Sequence, residues 1–174
     1  MPKPVAARAG EMDFAGLVRQ HQAMVFSIAW HVLRDRAVAE ELAQDVFLSL
    51  HQHLNDLESP EHVLFWLRRV TSNRALDVVR RRQRRPMVSL EAVAEPVAAS
   101  EQGDTMLSEA LRKLIAALPE KARAIVVLRY QEDLDPTEIA RVLAIPVGTV
   151  KSQLQRALAL LREKLNRRMG EISL

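Results

Sequence analysis

No cysteine occurs in the 174 residues. Disulfides and thiolate metal sites are therefore excluded, and a reducing compartment such as the cytoplasm suits the chain. Glycine is scarce, 5 in all and never clustered, so there is no glycine-rich loop to cradle a phosphate. No apolar run approaches the ~18 residues of a membrane span. The first ten residues carry scattered charges and no apolar centre, which is not a signal peptide, and no membrane insertion is expected. The histidines (His21, His31, His51, His53 and His62) show no metal-ligand spacing and read as surface or packing residues. Glu40 and Glu41 are paired carboxylates with nothing to bury one of them. No catalytic constellation, metal site or cofactor site emerges, and the expectation is a protein that is not an enzyme.

What remains is helix. Hydrophobic residues make up 48% and charged residues 27%, a globular and helix-leaning composition. The net charge is only +3, so its distribution says more than its size. Residues 1–12 read as an N-terminal arm. Asp13 caps a first helix with Phe14, Leu17, Val18, Val25, Ile28, Ala29 and Val32 on one stripe, ending at Arg34–Asp35. A second helix runs from about Arg36 to Asn55. Leu42, Val46, Phe47, Leu50 and Leu54 form its core edge, while Glu41, Gln44, Asp45 and Leu48 share another face. An acidic face with an exposed leucine is either solvated or a docking surface for a helical partner.

Ser59 and Pro60 open a third helix, with Val63, Leu64, Leu67, Val70, Ala75 and Val78 inward. Arg69, Asn73, Arg80 and Arg84 line another face, with Phe65, Trp66 and Leu76 beside them. Between Arg68 and Arg85 there are eight arginines against the single acid Asp77, a bias that a merely solvated face rarely shows. A basic stripe with neighbouring aromatics fits a phosphate track and unstacked bases; a basic tail, with Trp66 packed in the core, is the plainer alternative.

At Pro86 the composition changes. Residues 86–103 hold no Lys or Arg and three Glu, which reads as a flexible acidic linker, with a short helix at Met87–Ala94 conceivable. Met106, Leu107, Leu111, Leu114, Ile115 and Leu118 then form a helical stripe. Pro119 starts the next helix, with Ala122, Ile125, Val126 and Tyr130 inward. Asp135, Pro136 and Glu138 have the pattern of a capping box, Ala144–Pro146 is a turn, and a second helix follows. Val147, Val150, Leu154, Ala157, Leu158 and Leu161 are its inward face. Gly148, Thr149, Ser152, Gln155 and Arg156 lie opposite, a set that suits base edges and phosphates in a major groove if the pair is more than an ordinary helical hairpin. The apolar Leu158–Leu161 and Leu165 either pack on Met106–Leu118 or meet a partner. The fold class is all-α: two small helical domains, 13–85 and 104–174, joined by the linker 86–103, the second containing a helix-turn-helix.

Two blocks carry a family resemblance. AEELAQDVFLSL (39–50) with FWLRRVTSNRALDVVRRRQRR (65–85) resembles region 2 of the extracytoplasmic-function (ECF) group of bacterial RNA polymerase sigma factors. LPEKARAIVVLRYQEDLDPTEIARVLAIPVGTVKSQLQRAL (118–158) resembles region 4 of the same group. The resemblance implies a promoter-specificity factor that binds core RNA polymerase and helps open DNA. Glu41, Gln44, Asp45 and Leu48 would meet the β′ clamp. Trp66, Arg69, Asn73, Arg80 and Arg84, with the loop near Leu57–Glu61, would take the −10 element. Thr149, Lys151, Ser152, Gln155 and Arg156 would read the −35 element, and the second module would bind the β flap. An anti-sigma factor is the expected regulatory partner. Departures from the family pattern are Ala144 where Gly is frequent, Gln153 and Gln155 where Arg and His are frequent, and Leu158–Leu160 where basic residues are frequent. The competing readings are a stand-alone helix-turn-helix repressor or activator, which needs one basic surface and a dimer face, and a sigma-mimicking adaptor, which does not need the arginine bias.

Overall fold

The computed structural model describes residues 13–84 and 105–172, the side chains of 105–110 and 168–172 excepted. The arm 1–12, the linker 86–103 and the short helix at Met87–Ala94 lie outside the described residues. Among these residues every regular element is a helix. The chain divides at Arg85–Pro86 into two units.

The first unit holds α1 (Phe14–Leu33), α2 (Arg36–His53), a 3-10 turn (Leu54–Asp56) and α3 (Pro60–Arg84). Side-chain caps set the starts. Asp13 accepts from the Ala15 and Gly16 amides, Asp35 from Val38, and the Ser59 hydroxyl from His62. Each satisfies N–H groups that a helix start leaves without partners. Arg34 ends α1 in the left-handed region and turns the chain into α2. The core is Val25, Ile28 and Val32 of α1, Val46 and Leu50 of α2, and Val63, Leu67 and Ala75 of α3.

Helix α3 packs on both other helices, so its buried sector is wider than the spacing predicts. Thr71, Ser72 and Leu76 are buried, and Leu76 belongs to the core rather than to the basic face. Leu64, Val70 and Val78 are only half-buried. The Thr71 hydroxyl is satisfied by the Leu67 carbonyl at 2.7 Å. Trp30, Leu33 and His21 also join the core of α1. Burial, with the Arg68 charge nearby, pushes the His21 pKa down.

The second unit holds α4 (Thr105–Ala116), α5 (Glu120–Tyr130), α6 (Pro136–Leu143) and α7 (Val147–Ile172). Helix α5 is buried on all sides from Ala122 to Leu128, Arg123 included, because α6 and α7 both pack on it. Pro119 is its N-cap rather than its first helical residue. Tyr130 does not face inward: it is 60% exposed at the last position of α5, with the Arg129 guanidinium 5.6 Å from its ring centre. Leu114 and Leu118 are buried, Leu111 is exposed, and α4 meets α7. Of the apolar positions late in α7, Leu161 is buried, Leu158 and Leu165 are half-buried and Leu160 is exposed.

The capping box is complete. Asp135 Oδ1 accepts from the Thr137 and Glu138 amides at 2.7 and 2.9 Å, and Glu138 Oε2 accepts from the Asp135 amide at 2.7 Å. The Glu138 amide bond, aided by that of Thr137 and the charges of Arg129 and Arg141, lowers the Asp135 pKa against an opposing desolvation. Helix α6 ends at Ala144, which adopts φ 52°, ψ 47°. A side chain in this left-handed region costs about 1 kcal/mol. Ala144 is exposed, so Ala144→Gly removes strain without emptying a core. This substitution should stabilise the second unit by about 1 kcal/mol and raise its thermal midpoint by roughly 4 °C or more. An unchanged or lower midpoint contradicts the strain.

Candidate functional site

Helix α2 carries Glu41, Gln44, Asp45 and Leu48 on its solvent side, and Leu48 is 64% exposed. Leu48 is the one large apolar side chain exposed among the acids and amides of this face. Two grooves flank it. Gln44 and Leu48 border an apolar groove of about 810 Å³ between α1 and α2, floored by Phe14, Val18, Phe26 and Phe47. Glu41 and Asp45 border a charged cleft of about 520 Å³ between α2 and α3, closed by Arg74, Arg81 and Arg82.

The arginine run of α3 is not one face. The Arg68 charge is near enough to buried His21 on α1 to lower its pKa. Arg74 crosses to α2, where Nη1 donates to the Asp45 carbonyl at 3.1 Å and Nη2 to the Ser49 hydroxyl at 2.6 Å. Arg82 pairs with Asp35, the N-cap of α2, at 3.1 Å. Arg74 and Arg82 thus tie α3 to α2. Arg69, Arg80 and Arg84 are exposed on the outer side of the helix. Arg80 pairs with Asp77 at 2.9 Å, an i,i+3 surface pair of the kind worth ~0–1 kcal/mol and readily exchanged for a phosphate. Asn73 is half-buried and its Nδ2 donates to the Arg69 carbonyl at 2.9 Å. Trp66, half-buried, lies against His53 of α2 with ring centres 5.9 Å apart. Trp66 is thus neither fully core nor fully open, and its aromatic neighbour is invisible to spacing within one helix.

In the second unit one side of the first turns of α7 is open to solvent. A Cβ placed on Gly148 would meet no atom within 4 Å. Lys151, Gln155 and Arg156 are exposed; Thr149, Ser152 and Gln153 are half-buried. The Ser152 hydroxyl donates to the Thr149 carbonyl at 3.0 Å, leaving its lone pairs as acceptors. Val147 is 39% exposed at the helix start rather than inward; Val150, Leu154, Ala157 and Leu161 supply the buried stripe. Among the described residues no cluster of His, Cys, Asp or Glu could hold a metal ion, and no helix is long and apolar enough to cross a membrane.

Residues 17–85 match the model of Sigma-70 region 2, and residues 108–161 match that of Sigma-70, region 4. The chain is 31% identical to the ECF RNA polymerase sigma factor SigM of Mycobacterium tuberculosis, over 92% of this chain and 79% of that one. The chain belongs to the ECF sigma factors. ECF SigE of Mycolicibacterium smegmatis is 33% identical over 89% of this chain and 62% of its own length. This sigma factor spans 43% of the length of one curated relative and 91% of that of another. Its fold is that of the sigma factor RpoE from Bartonella quintana, solved with the anti-sigma factor NepR, at a TM-score of 0.73 and 22% identity over 88% of this chain and 97% of that one. Sigma factors are transcription initiation factors that recognise promoters.

For this sigma factor the acidic and basic faces of the first unit are set against each other by Arg74. Replacing it with Met keeps the aliphatic stem and removes both bonds to α2. Arg74→Met should cost the first unit about 1–3 kcal/mol, the range for hydrogen bonds from a charged donor, read by urea unfolding. A midpoint equal to wild type would show that the two bonds contribute nothing.

Proposed function

We propose that this chain directs core RNA polymerase to its promoters through three separate surfaces, and that it is not itself an enzyme. Residues 13–85 act as region 2, residues 104–174 as region 4, and 86–103 as the tether between them, in the cytoplasm. Glu41, Gln44, Asp45 and Leu48 dock on the β′ clamp. Trp66, Arg69, Asn73, Arg80 and Arg84 hold the −10 element as the duplex opens. Thr149, Lys151, Ser152, Gln155 and Arg156 enter the major groove of the −35 element, and the same unit meets the β flap. An anti-sigma factor holds the chain inactive, a partner supported by the NepR-bound neighbour of the same fold.

The observation that carries this reading is the pairing of charges within one small unit. An acidic face with an exposed leucine on α2 stands beside outward-facing cations on α3. A repressor that binds only DNA has no use for the first, and an adaptor that binds only a regulator has no use for the second. The second unit adds an uncovered helix start of the kind that reads base edges.

Glu41→Arg with Asp45→Arg reverses the docking face at two exposed positions. The double variant should stay helical and lose co-purification with core polymerase; retained co-purification refutes the docking role. Arg80→Ala with Arg84→Ala should slow promoter opening and lower the slope of log affinity against log salt by about one for each phosphate no longer neutralised. An unchanged slope and opening rate would leave these arginines as a solvated tail.

A further inference from the structure

Helices α1 and α2 each carry a second apolar edge beside the one that packs on α3. Phe14, Val18, Gln22 and Phe26 stand one turn apart along α1, and Ala43 and Phe47 face them from α2. Phe14, Val18 and Phe26 remain half-buried, and Leu48 at the rim is exposed. The groove between the two edges holds about 810 Å³, a volume that takes a short segment of chain. Its lining carries one charge, Glu40, and the exposed acids Glu41 and Asp45 follow on the same helix.

The chain enters the fold at one end of this groove. Phe14 is the first residue of α1, and its ring stands edge-on to His51 of α2 with centres 5.0 Å apart. Residues 1–12 precede the Asp13 cap. Extended, such a length reaches about 40 Å, whereas α1 from Phe14 to Phe26 runs about 18 Å. Within the arm Pro4, Val5, Ala6 and Ala7 form a short apolar run between Lys3 and Arg8. Pro2 and Pro4 restrict the backbone before it binds, which lowers the cost of ordering it. Small side chains suit a groove already lined by three phenylalanines, and the two cations complement Glu40 and the acids beyond it. The linker 86–103 is the rival occupant within the chain. It carries three Glu and no Lys or Arg, so the acidic flank of α2 disfavours it.

We propose that residues 3–8 of the N-terminal arm dock in the α1–α2 groove of the free chain, and that core polymerase displaces them. The displacement rests on the reading of Gln44 and Leu48, which border the groove, as polymerase-docking residues. The docking of the arm does not.

The full chain has no cysteine, so an introduced pair reports the arm alone. Ala7→Cys with Ala23→Cys, on the groove wall, is compared with Ala7→Cys with Asp77→Cys, in the cleft between α2 and α3. Under mild oxidation the groove pair should close an intramolecular disulfide roughly tenfold faster or more, because docking raises the effective concentration. Adding Lys3→Glu and Arg8→Glu should slow that closure, and so should saturating core polymerase. A chain lacking residues 2–12 should bind core polymerase about three- to tenfold more tightly, the gain for an arm that closes roughly 70–90% of free chains. Equal closure rates for the two pairs overturn the docked arm. So does a disulfide between two copies, or faster closure by Val93→Cys with Ala23→Cys, which would make a second copy or the linker the occupant. A groove pair that closes as expected, in a chain whose polymerase affinity is unchanged without its arm, overturns the displacement. A chain that never assembles with core polymerase overturns the polymerase reading and leaves the cross-link result standing.

Discussion

Arg74 reaches from α3 to α2 and satisfies two groups there, a main-chain carbonyl at Asp45 and a hydroxyl at Ser49. Arg82 makes a second tie at the Asp35 cap. An arginine-rich helix is a poor core element unless its cations are sorted, because an unpaired buried charge costs several kcal/mol. Sorting is what α3 achieves. Its apolar sector packs on α1 and α2, some guanidinium groups pair across the helix interface, and the others stay in water. The acidic face of α2 and the basic face of α3 keep a fixed relation as a result, within one unit of modest size.

The second unit solves a different problem. Helix α7 exposes one side of its first turns while staying anchored. Buried α5 supplies the anchor, and the Val150, Leu154, Ala157 and Leu161 stripe of α7 packs with it and α6. The turn before α7 carries the strain of a left-handed Ala144. The complete capping box at Asp135 and the packing of Ile139, Val142 and Leu143 offset that cost.

Much of this was legible in the sequence because it is local. Caps at Asp13, Ser59 and Asp135, the stop at Ala144–Pro146 and the exposure of Leu48 each follow from a few neighbouring residues. The two family blocks made the promoter-recognition reading accessible as well. What spacing missed depends on partners distant along the chain. Arg74 and Ser49 are 25 residues apart, and Arg82 and Asp35 are 47 apart, so nothing within α3 marks those arginines as structural. The inward placement of Leu76 and the all-round burial of α5 arise because each helix has two neighbours instead of one. Tyr130 turned outward because its helix ends there and the next turn leads away. The stack of His53 on Trp66 joins two helices and could not be read from either.

The central claim is that this chain makes core polymerase promoter-specific. Run-off transcription from a promoter library, with core polymerase alone and with the chain added, tests it most directly. The account predicts discrete transcripts that appear only when the chain is present and that start at promoters sharing one −35 and one −10 element. The same transcripts with and without the chain, or none in either case, would contradict it.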